Sequence, residues 1–270
     1  MPASQLSREL GISRSSLYYR PKKPEQDFKI KQEIERVLRS HPSYGYRRVA
    51  IELGRNKKQV QRVMQLFGMK ARRRRPAWRK SPANKASSVQ TSVYPNRLLD
   101  VVPTHPNHIW ATDFTRIWYN NRWWYLCTML DLYTRQVTGY AFMGHHRTSL
   151  IIQALLHGLH HHGRPKILHS DQGSEYKSQT YQQILTYLNI RGSMSAKACP
   201  WENGYQESFY NQFKIDLGDP SRFNGLGELV YSIQRQLWRY NNRRIHSALS
   251  MPPVAFHQQY LLTQRSLTTV

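Results

Sequence analysis

Apolar residues in the first quarter of the chain recur every three or four positions, the spacing that lines one face of an α-helix. In SQLSRELGISRSSLYYR, residues 4–20, Leu6 and Leu10 mark one short helix, and Leu17 and Tyr18 a second. Gly11 predicts the turn between them, and Ser13 is a good N-cap for the second helix. This is helix-turn-helix spacing, which places Arg14, Ser15 and Ser16 early in a recognition helix. The plainer alternative is a surface helical hairpin. Past PKKPEQ the helical period resumes at Ile30, Ile34, Val37 and Leu38, continues at Val49 and Leu53, and ends at Val60, Val63, Met64 and Phe67. Gly54 and Asn56 predict a turn ahead of KKQVQRVM. That segment reads as a second recognition helix carrying Lys57, Lys58, Gln59 and Arg62, unless its charges are only a solvated face.

From Ala71 to about Asn107 the periodicity is lost and Arg, Pro, Ser and Asn accumulate, as expected of a basic linker. Arg72, Arg73, Arg74 and Arg75 open it, either against a phosphate backbone or as a solubilising run. After it the period falls to two. HIWATDFTRIWYNNRWWYLCTMLDLYTRQVTGYAFM predicts three strands, turned at Asn120–Asn121 and at LYTR. SLIIQALLHGLHHHG then predicts a helix ending at Gly163, PKILHSD a fourth strand, SQTYQQILTYLNI a helix and GSMSA a fifth strand. PWENGYQESFYNQFKIDL reads as one long helix from Pro200 despite Gly204, and LGELVYSIQRQLWRYNNRRIH as another.

A meander followed by alternating helix and strand predicts an α/β, RNase H-like core with a mixed five-stranded sheet. The expected organisation is a helix-turn-helix over residues 1–23, a second helical DNA-binding unit over 24–75, a basic linker over 76–104 and the catalytic core over 105–265.

Charge narrows the partner. Forty Lys and Arg face sixteen Asp and Glu over 270 residues, a net charge of +24. Residues 1–104 hold 24 of the basic and 7 of the acidic residues, a net +17. Such a surplus predicts a polyanionic partner, nucleic acid first, and the two helical units ahead of the arginine run make double-stranded DNA the expected one, gripped chiefly by the N-terminal third. An anionic membrane is the weaker reading, because no apolar run of spanning length occurs. MPASQLSREL has no apolar signal core, and two cysteines, Cys127 and Cys199, form neither a disulfide framework nor a four-thiolate zinc site. A cytoplasmic, nucleoid-associated protein is expected.

Against this positive background three acids stand out. Asp113 sits in mid-strand among Trp110, Phe114, Ile117 and Trp118, where a carboxylate is costly to bury without a partner. Asp171 ends the fourth strand in HSDQGSEY, and Glu207 lies on the helix after it; 57 residues separate the first two acids and 35 the last two. In the expected sheet the first and fourth strands are neighbours, so Asp113 and Asp171 share a space. Hard oxygen donors of this kind suit two Mg²⁺ or Mn²⁺ ions per active site. Turn chemistry alone would also account for Asp171-Gln-Gly. Glu202 is a rival ligand that points elsewhere on the helix, and Glu175 is expected to be exposed. Asp131 is expected to pair with Arg135 across a turn, His160–His162 to end a helix, and His169 to buttress a strand end.

HSDQGSEY, the 35-residue interval, WENGYQESFYNQFK and YNNRRIHSAL together resemble a DDE transposase with a retroviral-integrase-type core. HPSYGYRRVAIEL and VQRVMQLFGMKAR resemble the helical region ahead of that core in the OrfB proteins of the insertion-sequence-three family. The resemblance covers roughly residues 28–260. It implies that Asp113, Asp171 and Glu207 form the metal-binding triad and that Lys214, seven residues past the glutamate, holds a DNA phosphate. Asn203 is then expected to orient Glu207 or to touch the DNA end. The implied reaction is metal-dependent cleavage at an element's 3′ ends, followed by strand transfer. The first joining links one end near the other and gives a circular intermediate. A homo-oligomer on DNA is implied. Because the chain carries no heptad zipper, an upstream-frame OrfA partner is implied as well. A structure-specific RNase H-like nuclease and a non-catalytic DNA-binding regulator are the competing readings.

Overall fold

The computed structural model describes residues 2–11, 13, 23–73, 92–196 and 199–268. It divides into two compact units: residues 1–40 with 44–71, and residues 41–43 with 72–270.

In the first unit, helix α1 (Ala3–Glu9) stops at Gly11, whose φ of 62° suits the turn expected there. Arg14, Ser15 and Ser16 lie outside the described residues. Helices α2 (Lys23–Ser40), α3 (Tyr46–Glu52) and α4 (Lys57–Leu66) bury Ile30, Ile34, Val49, Val60 and Val63 between them, as the helical period requires. Gly54, at φ 59°, turns α3 toward α4, and the Asn56 side chain caps α4 by accepting from the Lys58 N–H at 2.8 Å. Two polar ties hold the bundle. Arg55 Nε donates to Glu33 Oε2 at 2.7 Å, and Arg62 donates to both carboxylate oxygens of Asp27, at 2.8 and 2.5 Å. Asp27 is only 5% exposed, and the hydrogen bonds from Arg62 hold its carboxyl below the usual carboxylate range.

The second unit is built on a five-stranded sheet of order β3-β2-β1-β4-β5. Strands β1 (Ile109–Tyr119), β2 (Arg122–Asp131) and β3 (Val137–Met143) form the antiparallel meander. Asn120 and Asn121, both at positive φ (48° and 56°), make the tight β1–β2 turn that the Asn-Asn pair predicts. Strand β4 (Ile167–Ser170) joins the other side of β1 in parallel, followed by β5 (Arg191–Met194).

One face of the sheet is covered by α5 (Thr148–His162) and α6 (Gln179–Tyr187) over Trp110, Met129, Leu150, Leu155 and Tyr181. The opposite face is covered by α7 (Gly204–Leu217) and α8 (Leu226–Asn242) over Ile109, Leu126, Phe209, Phe213 and Ile233. Trp110 and Ile109 lie in different clusters because neighbouring strand residues point to opposite faces. Among the described residues no helix is long and apolar enough to cross a membrane.

Four details differ from the sequence reading. The helix expected from Pro200 is broken: a 3-10 turn covers Pro200–Asn203, and α7 begins at Gly204. The end of the expected linker is part of the core unit, since Tyr94 packs on Gly192 and the Arg97 N–H donates to Ser193 Oγ at 2.9 Å. These residues cover the edge that β5 would otherwise expose. A further helix, α9 (Pro253–Thr268), sets Phe256 and Tyr260 against Tyr133 at 5.5 Å each. Asp131 is structural, but its carboxylate accepts the backbone N–H groups of Asn107, Tyr133 and Thr134 rather than pairing with Arg135. Arg135, at φ 62° in the turn, stacks its guanidinium 4.2 Å from the Tyr205 ring centroid instead.

Candidate active site

β1 carries Asp113 just past the point where its pairing with β4 ends, while its pairing with β2 continues. The parallel pairing of β1 with β4 runs through Ile109↔Ile167, Trp110↔Leu168 and Ala111↔His169, and Asp113 and Asp171 each lie two residues past the last pair. A step of two returns to the same face, so both acids share the face that buries Ile109, Ala111 and Ile167 beneath α7. Asp113 Oδ1 accepts from the Phe114 N–H at 2.7 Å. Asp171 Oδ1 accepts from the Gly173 N–H at 3.0 Å, the short turn that ends β4. Ordinary turn chemistry is therefore present at Asp171, and one of its oxygens takes part in it.

Glu207 stands in the first turn of α7 and is exposed. What fixes that turn against the sheet is its neighbour Gln206, fully buried. The Gln206 Nε2 donates to the Ala111 carbonyl at 2.6 Å and the Thr128 carbonyl at 3.2 Å, while its Oε1 accepts from Thr128 Oγ1 at 3.1 Å. One helical turn on, the Tyr210 hydroxyl donates to the carbonyl of Asp113 itself at 2.5 Å and accepts from Thr128 Oγ1 at 2.9 Å. Thr128 is the β2 residue paired with Asp113. Gln206 and Tyr210 thus lock α7 onto the backbone that carries Asp113. The sequence reading missed both; the signal was a polar pair four residues apart bracketing Glu207 on an otherwise apolar helix face.

The electrostatics single out Asp113. Burial raises its carboxyl to about 7, helped by the charges of Asp171 and Glu207, against the opposing effects of the Phe114 N–H and of Lys214. Asp171 is also raised, again chiefly by burial. Lys214 lies two turns beyond Glu207 on α7, partly buried. The donor set is carboxylate oxygen throughout, and one desolvated acid faces two others, an arrangement a divalent cation would relieve. Among the described residues no group of three or more His, Cys, Asp or Glu side chains is arranged to hold a metal ion as it stands.

The remaining candidates separate cleanly. Asn203 is 6% exposed at the junction before α7, makes no capping bond, and leaves its Oδ1 unpartnered. Glu202 is committed elsewhere, accepting from Asn96 Nδ2 and the Ala196 N–H, both at 2.6 Å. Glu175, expected to be exposed, has a side chain only 10% exposed, because its carboxylate turns inward onto His146 Nδ1 at 2.5 Å. His160–His162 do end α5, and His169 is fully buried, its Nδ1 2.9 Å from Ser193 Oγ. Burial drops His169 to about 4, so the ring is neutral and fastens β4 to β5. Lys57 and Lys58 are exposed at the start of α4, and Gln59 is half-buried beside them. Arg62, on the same helix, is given to Asp27. Arg72 and Arg73 are exposed, whereas Arg74 and Arg75 lie outside the described residues.

The sheet order, with one acid inside β1 and another just past β4, defines an α/β unit of RNase H-like, integrase type. Two models, each described as an integrase core domain, match residues 103–200 and 188–253. The chain is 32% identical to the InsK product of insertion sequence element IS150 of Escherichia coli K12, over 96% of this chain and 94% of that protein. It is 30% identical to the transposase for insertion sequence element IS904 of Lactococcus lactis, over 86% of this chain and 95% of that protein. A chain of the simian T-cell lymphotropic virus intasome shares the fold, with a TM-score of 0.52 and 22% identity over 79% of this chain and 70% of that one. The chain belongs to the bacterial insertion-sequence transposases with an integrase-type catalytic core. These are polynucleotidyl transferases that move DNA elements.

Proposed function

We propose that Asp113, Asp171 and Glu207 are the metal-binding acids of a DDE transposase that cleaves the 3′ ends of its insertion element and joins them to a second DNA site. The observation that carries this reading is the register: two acids equally spaced past the last β1–β4 pair, on one face, beneath the helix that bears the third. The burial of Asp113 and its elevation to about 7 fit a site completed by cations. Mg²⁺ or Mn²⁺, two ions per site, would supply activation of the attacking oxygen and stabilisation of the leaving one.

The chain's own residues do the rest. Gln206 and Tyr210 hold α7 so that Glu207 stays beside the strand acids, and Lys214 binds a phosphate of the strand being cut. Lys57, Lys58 and the basic run from Arg72 grip the element's terminal DNA, as their exposure and charge support. The domain roles expected from the sequence are kept within this proposal. A DNA-bound homo-oligomer, an upstream-frame OrfA partner and a cytoplasmic, nucleoid-associated location complete it.

The test is a joining assay with labelled element ends and Mg²⁺. Wild type is expected to give joined products, and Asp171→Asn and Glu207→Gln to bind DNA normally without joining. Nicks without joining in wild type would favour a nuclease, and binding with no chemistry a regulator.

A further inference from the structure

β1 and β2 outrun the rest of the sheet. β4 pairs with β1 only as far as Ala111, so the far end of the β1–β2 hairpin projects beyond β4, and two large aromatic side chains stand on it. Trp118 and Trp123 are paired across the hairpin yet remain 49% and 43% exposed. Their rings meet edge to face with centroids 4.9 Å apart, which leaves ring face open to solvent, and the Arg116 guanidinium lies 5.2 Å from the Trp123 centroid. An exposed indole offers a π face on which a base can stack, and a guanidinium beside it can hold a phosphate.

These residues form one wall of a groove of about 380 Å³. The other wall is the end of α7 and the turn after it, with Lys214, Gly218 and Asp219. The volume falls at the small end of the range for pockets that hold a compact ligand, about 300–1,000 Å³. Two cations, Arg116 and Lys214, face one carboxylate, and Asp219 is engaged in capping the 3-10 turn at Pro220–Arg222 by accepting from the Ser221 N–H at 3.0 Å. The groove therefore combines π faces with net positive charge, the pairing that binds a nucleotide through its base and its phosphate together.

Its position relative to the acids is set by the elements themselves. Lys214 is seven residues past Glu207, about 10 Å of helix rise. Arg116 is three residues past Asp113, about 10 Å of strand, and so stands on the other side of β1, at the edge that β4 leaves free. Since nucleotides in a B-form strand rise about 3.4 Å each and an unpaired strand extends further per nucleotide, the groove is reached within about three nucleotides of a phosphate held at the acids.

We propose that this groove binds one unpaired nucleotide of the DNA strand held at the active site, with its base packed against the edge-to-face Trp118–Trp123 pair, face-on to one indole only, and its phosphate between Arg116 and Lys214. The proposal rests on the assignment of the three acids as the active site and adds a second contact with a base. Stacking of this kind tolerates every base, so the groove fixes the position of a splayed strand and reads no sequence.

The experiment places 2-aminopurine singly at successive positions around the scissile phosphate of a duplex carrying one element end with an unpaired flank. Fluorescence is followed on adding the full chain. One position two to three nucleotides from the scissile phosphate should be strongly quenched. Quenching should vanish in Trp118→Ala and Trp123→Ala, each with about tenfold weaker binding of this DNA. Trp118→Phe should retain most of it, which separates stacking from misfolding. Asp171→Asn should keep the quenching while losing joining. If Asp171→Asn still joins ends, the active-site assignment fails, and the groove is then judged on its quenching pattern alone. Quenching indifferent to both tryptophans would overturn the proposal. So would alanine variants that fall from oligomer to monomer without DNA, because the groove would then be covered by a second copy of the chain.

Discussion

The two faces of the sheet are closed in different ways. On the α5 side the contact is apolar and very close: a Cβ built on Gly139 of β3 would lie 2.2 Å from the Ala154 carbonyl oxygen, and one on Gly158 of α5 2.8 Å from the Trp110 ring. On the α7 side, beside Asp113, the contact is polar and directional, made by Gln206 and Tyr210 to strand carbonyls. Apolar packing tolerates small slides of a helix, whereas hydrogen bonds to particular carbonyls fix its register and rotation. The face that carries the chemistry is the one tied by directional bonds.

The steepest test of this contrast is Gly139→Ala, where backbone on both sides leaves no room to relax. It should lower stability by about 3 kcal/mol or more, read as a large fall in the midpoint of chemical denaturation. Next is Asp113→Asn. In the metal-free chain the folded state keeps a proton on Asp113 up to about 7, a proton that the unfolded chain loses near 4. Stability from this group is therefore fully present below pH 4, falls as pH rises to about 7 and is constant above that. Asp113→Asn should remove that slope and, with a chelator present at pH 8, raise the melting temperature by several degrees while abolishing joining.

Gln206→Leu comes third. It leaves two buried carbonyls without their donor and should cost about 1–3 kcal/mol. Joining should fall disproportionately to that loss, measured below the melting transition, because Glu207 loses its alignment. The smallest effect expected is from Tyr210→Phe, about 1 kcal/mol. Its reduction in joining rate should exceed its effect on DNA affinity; equal effects would make the hydroxyl merely structural.

Much of the core was legible in the sequence because its signals are local. Strand alternation, the Asn120–Asn121 turn, Gly163 after α5, the mid-strand Asp113 and the acid that closes β4 each depend on a few adjacent residues. The order β3-β2-β1 followed from the meander, and the place of β4 beside β1, with the juxtaposition of Asp113 and Asp171, from the RNase H-like layout that the alternating helix and strand suggested. What escaped notice is non-local. Gln206 and Ala111 are 95 positions apart, and although Gln206 and Tyr210 stand out on an apolar helix face, nothing local names the strand carbonyl as their partner. The same holds for Tyr94 on Gly192, which draws apparently aperiodic linker into the core. Arg62 has a partner that was hidden for a related reason. Its place on a basic helix suggested a phosphate, and nothing local announced Asp27, 35 residues earlier, which accepts one N–H from each of its two Nη atoms. Asp131 erred in the opposite direction, since three backbone N–H groups satisfy a carboxylate that composition would pair with the nearest arginine.

The most direct measurement is the joining of labelled element ends by Asp171→Asn beside wild type, in Mg²⁺, with DNA binding recorded on the same samples. The account predicts joined products from wild type only, at equal binding. Joined products from Asp171→Asn at the wild-type rate would contradict it and return Asp171 to the role of a residue that closes a turn.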